Sequence, residues 1–215
     1  MAFFSRGPLV DTIYRSAESA FTIECKDIIL REFVATDLEP FHLLTWQPEI
    51  REYLPGWNVS REQREEWLMG YEIPENKRFL NAVSEGGVIG DLRLRLGMVL
   101  KETGELIGWC CTGIKEELPS PNREIVYAVS KDHRGKGYTT QAAQAMIRYL
   151  FEQTDVEALA AIALVGNAPS NAVIRKCGFH YQSVIEIDSE KYDYYRLDKK
   201  GWAASRALIE SSARE

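Results

Sequence analysis

Cysteine and histidine are scarce in this chain and are not arranged for ligation. The 215 residues hold four cysteines and three histidines. Cys25, Cys110, Cys111 and Cys177 form no Cys-x-x-Cys pair. Cys110 and Cys111 are adjacent, and adjacent residues of a strand face opposite ways. His42, His133 and His180 show no ligand spacing. The pattern speaks against a metal site or a disulfide framework and fits reduced thiols in a cytosol. Long apolar runs are missing too: none approaches the roughly 20 residues of a membrane helix. No membrane partner is expected. The opening Met1-Ala-Phe-Phe-Ser-Arg6 is too short and turns polar too soon for a secretory signal.

Positive charge is in deficit. Against 32 acidic residues stand 26 basic ones, a formal charge of −6. That weighs against nonspecific binding of nucleic acid and leaves a cationic substrate open. Repeats and low-complexity segments are absent. What is present is 45% hydrophobic and 27% charged residues, enough for a real core without staples. The expected layout is an N-terminal extension over 1–20, one domain over 21–202 with an insert at about 73–91, and a tail over 203–215.

Local patterns place the elements. Residues 22–33 suit a strand pair with Lys26-Asp27 as its turn. A helix follows from Ala35 to Trp46, with Thr36 as N-cap and Glu39 at the capping-box position. Ser60 and Gln63 repeat the capping-box pattern before a helix reaching about Tyr71. The irregular stretch 73–91 suggests a short strand from Phe79 to Val83 and then an exposed turn. Leu92–Leu100 and Glu105–Ile114 are strand-like and joined by a hairpin turn at Lys101–Gly104. Glu124–Val129 reads as a buried strand and Gln141–Phe151 as a helix with an apolar stripe. Leu159–Val165 suits a sheet core, and Pro169–Cys177 a helix closed by Gly178. Val184–Ile187 and Tyr192–Leu197 look like a last antiparallel pair.

The junction His133-Arg-Gly-Lys-Gly-Tyr-Thr-Thr140 lies between a strand and a helix. Glycines there let backbone N–H groups approach an anion, and the new helix points its positive end at it. A Walker A loop is excluded because Gly137 follows Lys136. A dinucleotide Gly-x-Gly-x-x-Gly fails because Thr140 replaces the third glycine. A plain tight turn, with no ligand, accounts for the same glycines.

Arg134-Gly-Lys-Gly-Tyr-Thr139 resembles the first signature of the GNAT superfamily, the acyl-CoA-dependent N-acyltransferases. Asn167-Ala-Pro-Ser170 and Arg175-Lys-Cys-Gly-Phe179 resemble its second, at a matching spacing. Glu124-Ile-Val-Tyr127, Tyr195-Arg-Leu-Asp-Lys-Lys-Gly-Trp202 and Ile28-Ile-Leu-Arg-Glu-Phe33 are similar to the ribosomal-protein-alanine N-acetyltransferase branch. The likeness is specific over 92–202 and absent over 1–20 and 73–91.

The resemblance implies an α+β fold, with a central mixed, mostly antiparallel sheet flanked by helices. Strands 124–129 and 159–165 would be its splayed parallel pair. It implies acetyl-CoA as co-substrate, with no metal, and a small-molecule or peptide amine as acceptor; a homodimer stays open. Backbone groups of Ala128, Val129 and Lys131 would hold the pantetheine. The turn Arg134, Gly135, Lys136, Gly137, Tyr138 and Thr139 would hold the pyrophosphate. Arg134 and Lys136 side chains would pair with phosphates or stay solvated. Asn167 and Ser170 would contact CoA, cap a helix, or both.

An amine with a pKa of about 8 to 10 is mostly protonated at neutral pH, so a base helps. Glu124 is the candidate, unless it is an exposed strand-end carboxylate, and His133 competes. The backbone N–H of Val129 or its neighbour would polarise the thioester carbonyl. Ile174 stands where many family members have an acidic Tyr, so an acid would come from Tyr192 or Tyr194, or be dispensable. Trp109 and Tyr192 are candidates for the acceptor pocket. The aromatics Trp46, Trp57, Trp67 and Tyr71 are expected mostly in the core, and Glu62, Glu65 and Glu66 on a solvated helix face. A non-catalytic acyl-CoA-binding module and a generic nucleotide-binding protein remain the other readings.

Overall fold

The apolar alternation of 22–33 resolves into two strands turning at Lys26–Asp27, and from them the whole sheet is built outward. The computed structural model describes residues 13–14 and 20–212. The remainder of the expected 1–20 extension lies outside the described residues. Strands β1 (Ile13–Tyr14), β2 (Thr22–Glu24) and β3 (Ile28–Glu32) begin the chain. Then come β4 (Leu94–Leu100), β5 (Leu106–Ile114), β6 (Arg123–Val129) and β7 (Ala158–Leu164). β8 (His180–Ile187) and β9 (Glu190–Asp198) form the last hairpin. Across the sheet the order is β1-β2-β3-β4-β5-β6-β7-β9-β8. Every neighbouring pair is antiparallel except β6 and β7. The mixed, mostly antiparallel α+β architecture is the expected one.

Helices α1 (Leu38–Thr45), α2 (Pro48–Arg51), α3 (Arg61–Trp67) and α4 (Ile73–Ser84) fill the long connection between β3 and β4. α5 (Tyr138–Gln153) and α6 (Ala168–Lys176) follow β6 and β7, and α7 (Lys199–Ser212) follows β9. Two apolar cores lie on opposite faces of the sheet. One joins Ile23, Leu30, Leu96 and Cys110 to Ala143, Met146, Ile147 and Leu150 of α5. The other joins Phe33, Trp109 and Cys111 to Phe41 and Leu44 of α1 and to Leu68. Adjacent Cys110 and Cys111 thus fall into different cores, as strand alternation requires. Each such buried Leu, Ile or Phe side chain contributes about 1.5–3 kcal/mol.

Several expectations are overturned. Phe79–Val83 is not a strand but the second half of α4. Pro74 sits in that helix's first turn, where a missing N–H costs nothing. Phe79 and Leu80 bury one side of it, together with Glu75 and Asn76. Between α3 and α4 the chain does not break but passes through a π-helical turn, Leu68–Glu72. Thr36 is not an N-cap. The chain enters α1 through a 3₁₀ turn at Ala35–Asp37, and the Oδ2 of Asp37 accepts the Val34 N–H at 2.8 Å. Arg31 grips the same carboxylate with two bonds of 2.6 and 2.7 Å. Without contradicting the expected 203–215 tail, α7 runs into it as far as Ser212, and Trp202 packs on Phe151 with ring centres 5.3 Å apart. Trp46, Trp67 and Tyr71 are exposed rather than core, Tyr71 toward the cleft described below.

Candidate active site

β6 and β7 share one registered pair, Glu124 with Ala160, and then part. The gap continues into a cleft of about 680 Å³. Its walls include Val126–Val129 of β6, Ile162–Leu164 of β7, and Asn167, Pro169 and Ser170 at the start of α6. The N–H of Ser130 donates to Ile107 O of β5 at 2.7 Å. By strand alternation the N–H groups of Ala128 and Val126 face β5 as well, while those of Tyr127 and Val129 face the gap. This corrects the expectation for Ala128, whose backbone is engaged in the ladder and which offers the cleft only its side-chain face. The Lys131 N–H is also engaged, donating to Gln47 Oε1 at 3.0 Å.

The cleft ends at the glycine turn. Gly135 and Thr139 belong to its wall, and Arg134 does too, its Nη2 donating to Glu49 O at 2.9 Å. Gly137 is the N-cap of α5 with φ 81°, a left-handed conformation that β-carbons resist. No side chain caps this helix, so its first N–H groups stay open. Lys131, Lys136 and Gly137 are exposed in the turn, and Tyr138 is half-buried. A sixteen-residue helix aimed at an uncapped, glycine-lined turn is an anion cradle. Asn167 caps α6, its Oδ1 accepting the Ser170 N–H at 3.2 Å.

At the other end of β6, Glu124 keeps partial exposure toward the cleft. Burial raises its carboxyl from an ordinary 4.5 to about 7; Lys115 and Arg93 pull it down, and Glu117 adds to the rise. A carboxyl that titrates near neutrality can take a proton from an amine and return it to solvent. His133 is the weaker candidate. It lies beyond the strand, with Nε2 3.7 Å from Glu105 Oε2 and a tilted contact to Tyr138.

A wall of the cleft near Glu124 comes from residues with no motif. Tyr71, Glu72, Glu75 and Asn76 descend from the π turn and α4, facing Arg93 and Arg95. Glu72 is 2% exposed, and its Oε1 bonds both Arg95 and Arg64, the latter at 3.4 Å. Its Oε2 is buried without a partner among the described residues. Arg64 is fully buried, donates to Trp57 O at 2.6 Å, and lies 4.6 Å from the Phe41 ring centre. Asn76 bonds both the N–H and the C=O of Arg95 at 2.8 and 2.7 Å, tying α4 to the sheet.

Trp109 does not reach the cleft, a second correction. It is fully buried, and Trp57 stacks on it at 4.8 Å between ring centres. Trp57 is the ring that faces the cleft. Tyr192 lines the cleft, whereas Tyr194 is buried in a small core with Leu118 and Ala160. Ile174 is buried core. A different phenol stands in the gap: Tyr127 Oη lies 3.2 Å from Ser170 Oγ and from Ser170 O. Burial raises its pKa, so it stays a hydroxyl. The thiols are not nucleophiles: burial lifts Cys111 to about 11, and Cys25 and Cys177 to about 12. Among the described residues no cluster of His, Cys, Asp and Glu could hold a metal ion. No helix there is long and apolar enough to cross a membrane.

The sequence over residues 27–180 matches the family model of the acetyltransferase (GNAT) domain. This chain belongs to the GNAT acetyltransferase family. It is 30% identical over 145 residues to YkkB of Bacillus subtilis, described as uncharacterized, covering 67% of this chain and 76% of that one. In fold it resembles the ribosomal-protein-S5-alanine acetyltransferase of Vibrio fischeri: TM-score 0.66, 14% identity, 84% of this chain and 98% of that one. It resembles equally the AAC(6')-Ib structure in complex with paromomycin and acetyl-CoA: TM-score 0.65, 18% identity, 84% and 98% covered.

The acetyltransferase takes acetyl-CoA as co-substrate and transfers its acetyl group to nitrogen. The donor end fits that molecule on its own terms. A CoA pyrophosphate needs N–H donors without side-chain competition, and the start of α5 supplies them. A pantetheine arm needs strand edges with unpaired groups, and the parted β6 supplies those of Tyr127 and Val129.

Proposed function

We propose that this acetyltransferase acts by direct attack of a primary amine on acetyl-CoA in a ternary complex, with Glu124 as the base. The observation that carries this reading is the place of Glu124. It stands where β6 and β7 part, faces the cleft, and titrates at about 7. The acceptor nitrogen bonds the thioester carbonyl carbon, and the proton on nitrogen passes along waters of the cleft to the Glu124 carboxylate. The C–S bond then breaks and its electron pair leaves on sulfur. A thiol with a pKa near 8.5 makes the thiolate a tolerable leaving group. The Val129 N–H facing the gap supplies a donor for the developing oxyanion. Tyr127, held at Ser170, supplies an O–H for the departing sulfur. The pyrophosphate rests on the turn from Arg134 to Thr139, with Arg134 and Lys136 as flanking charges.

The acceptor is a primary amine on a protein N-terminus or a small molecule. The similar folds are named for both kinds, a ribosomal-protein alanine and an aminoglycoside. The amine enters beside Tyr192 and the wall from Tyr71 to Asn76, in a single domain over 21–202. A thiol-release assay with acetyl-CoA and a panel of amines and peptides tests this. CoA binding without thiol release from any acceptor would overturn catalysis in favour of a binding module.

A further inference from the structure

Arg93, Gly113 and Glu124 stand in a row across three neighbouring chain segments. Glu124 on β6 pairs with Gly113 on β5. Arg93 immediately precedes β4, next to the Leu94–Thr112 pair. By alternation these positions share a face with Arg95, Cys111 and Val126. The middle position has no side chain. A Cβ built on Gly113 would lie 2.9 Å from Arg93 Cγ, 3.1 Å from Cδ and 3.2 Å from Nε. The arginine stem therefore fills the space that any other residue at 113 would claim. Its two ends are tied down. Nη2 donates to Ile114 O at 3.2 Å, and the Arg93 backbone N–H donates to Glu75 Oε1 at 3.2 Å. From that seat the guanidinium charge acts on the Glu124 carboxylate.

We propose that Gly113 is a spacer that seats Arg93 across β5 against Glu124, and that this seating keeps the carboxylate available as a base. The proposal rests on Glu124 being that base. Arg93 and Gly113 are positioning residues; neither touches the reacting atoms. The physical case begins with desolvation, which favours the protonated carboxyl and would leave little base at neutral pH. A fixed opposite charge nearby offsets it, and a guanidinium keeps its charge at every working pH.

Two other charged groups act on Glu124 more strongly than Arg93 and with opposite signs: Lys115 lowers its carboxyl pKa and Glu117 raises it. Lys115 shares its ammonium with Glu117 at 3.5 Å, and Glu117 itself opposes ionisation of Glu124. Cys111, on the next cross-strand pair, stays a neutral thiol. Glu75 from α4 is paired with Arg78 at 2.5 Å. Tyr192 of β9 faces the site from the other wall.

The test is the pH dependence of kcat/KM with the best amine from the panel, alongside NMR of the Glu124 carboxyl carbon, which needs no acceptor. Arg93→Gln moves the acid limb and the carboxyl titration upward by a fraction of a pH unit, as an exposed guanidinium is partly screened by solvent. Gly113→Ala, by displacing the arginine stem, moves both the same way. Arg93→Lys restores most of the shift, and Gly113→Ala added to Arg93→Gln moves nothing further. Thermal shift with CoA verifies the donor site in each variant, and Arg93→Gln alone carries the test if Gly113→Ala fails to fold. A limb and titration that stay put in Arg93→Gln overturn the proposal. An acid limb that survives in Glu124→Gln overturns the base assignment instead, so the two failures read differently.

Discussion

The two ends of β6 solve opposite problems with opposite materials. At its C-terminal end the donor turn is exposed, glycine-lined and left uncapped, and it works through backbone N–H groups. At its N-terminal end the wall near Glu124, where we propose the acceptor enters, is an assembly of buried Arg64, Glu72 and Asn76 with half-buried Arg95, stacked on Trp57 and Phe41. A backbone device tolerates changes of surface side chain and fails when a glycine is replaced. A buried ion network fails when any charge is removed, because its partners are left uncompensated. Donor binding and acceptor binding should therefore break separately.

The largest effect is expected between the two, at the base. Glu124→Gln lowers kcat by about 100-fold or more, the usual weight of a general base. It also removes the rise of kcat/KM with pH through about 7. The same change stabilises the fold at high pH. The folded carboxyl titrates at about 7 against an ordinary 4.5, so its stabilising protonation is complete below 4.5 and lost as pH rises through 7. Melting temperatures of wild type and Glu124→Gln should match at pH 4 and diverge at pH 8, the variant higher. Glu72→Gln comes next: buried Arg64 and half-buried Arg95 lose their counter-charge at a cost of about 3 kcal/mol. Denaturant unfolding measures it, and the acetyl-CoA dissociation constant stays put. Gly137→Val does the reverse. A β-branched residue at φ 81° strains the cap, costing about 1–2 kcal/mol. Acetyl-CoA binding, read by calorimetry, weakens about tenfold or more while the KM for the amine holds. Tyr127→Phe is the mildest, a loss of about one hydrogen bond to a charged group, roughly 1.5–3 kcal/mol at most in kcat.

The same contrast decides what could be read from the residues alone. Gly135, Gly137 and the helix after them form a local pattern, and the structure places them as read. The parallel pairing of 124–129 with 159–165 came only from the resemblance to the family, and β6 and β7 lie side by side as it implied. α4 was not. Gly70 and Pro74 look like breakers, but one lies in a π turn and the other in a first helical turn, where both are tolerated. Glu75 and Asn76 look like solvent-facing residues, and only contact with Arg93 and Arg95 explains their burial. Trp109 was rightly placed in the strand beside β6, yet nothing in the sequence says that Trp57 would cover it. Tyr127 sat inside a quoted strand motif, but its hydroxyl gains meaning only beside Ser170, 43 residues later in the chain.

The single pair of Glu124 with Ala160 has a consequence for what the enzyme can carry. Two strands that diverge from one fixed pair have a vertex, and positions farther along swing more than those beside it. Glu124, the proposed base, occupies the vertex. Opening the angle to admit a bulkier acyl chain displaces Val129 and the loops beyond it while leaving the carboxylate and its charged neighbours in register. Acyl size and base strength are thus mechanically decoupled, and the donor range of this scaffold can drift by small changes in β7 without retuning the proton acceptor.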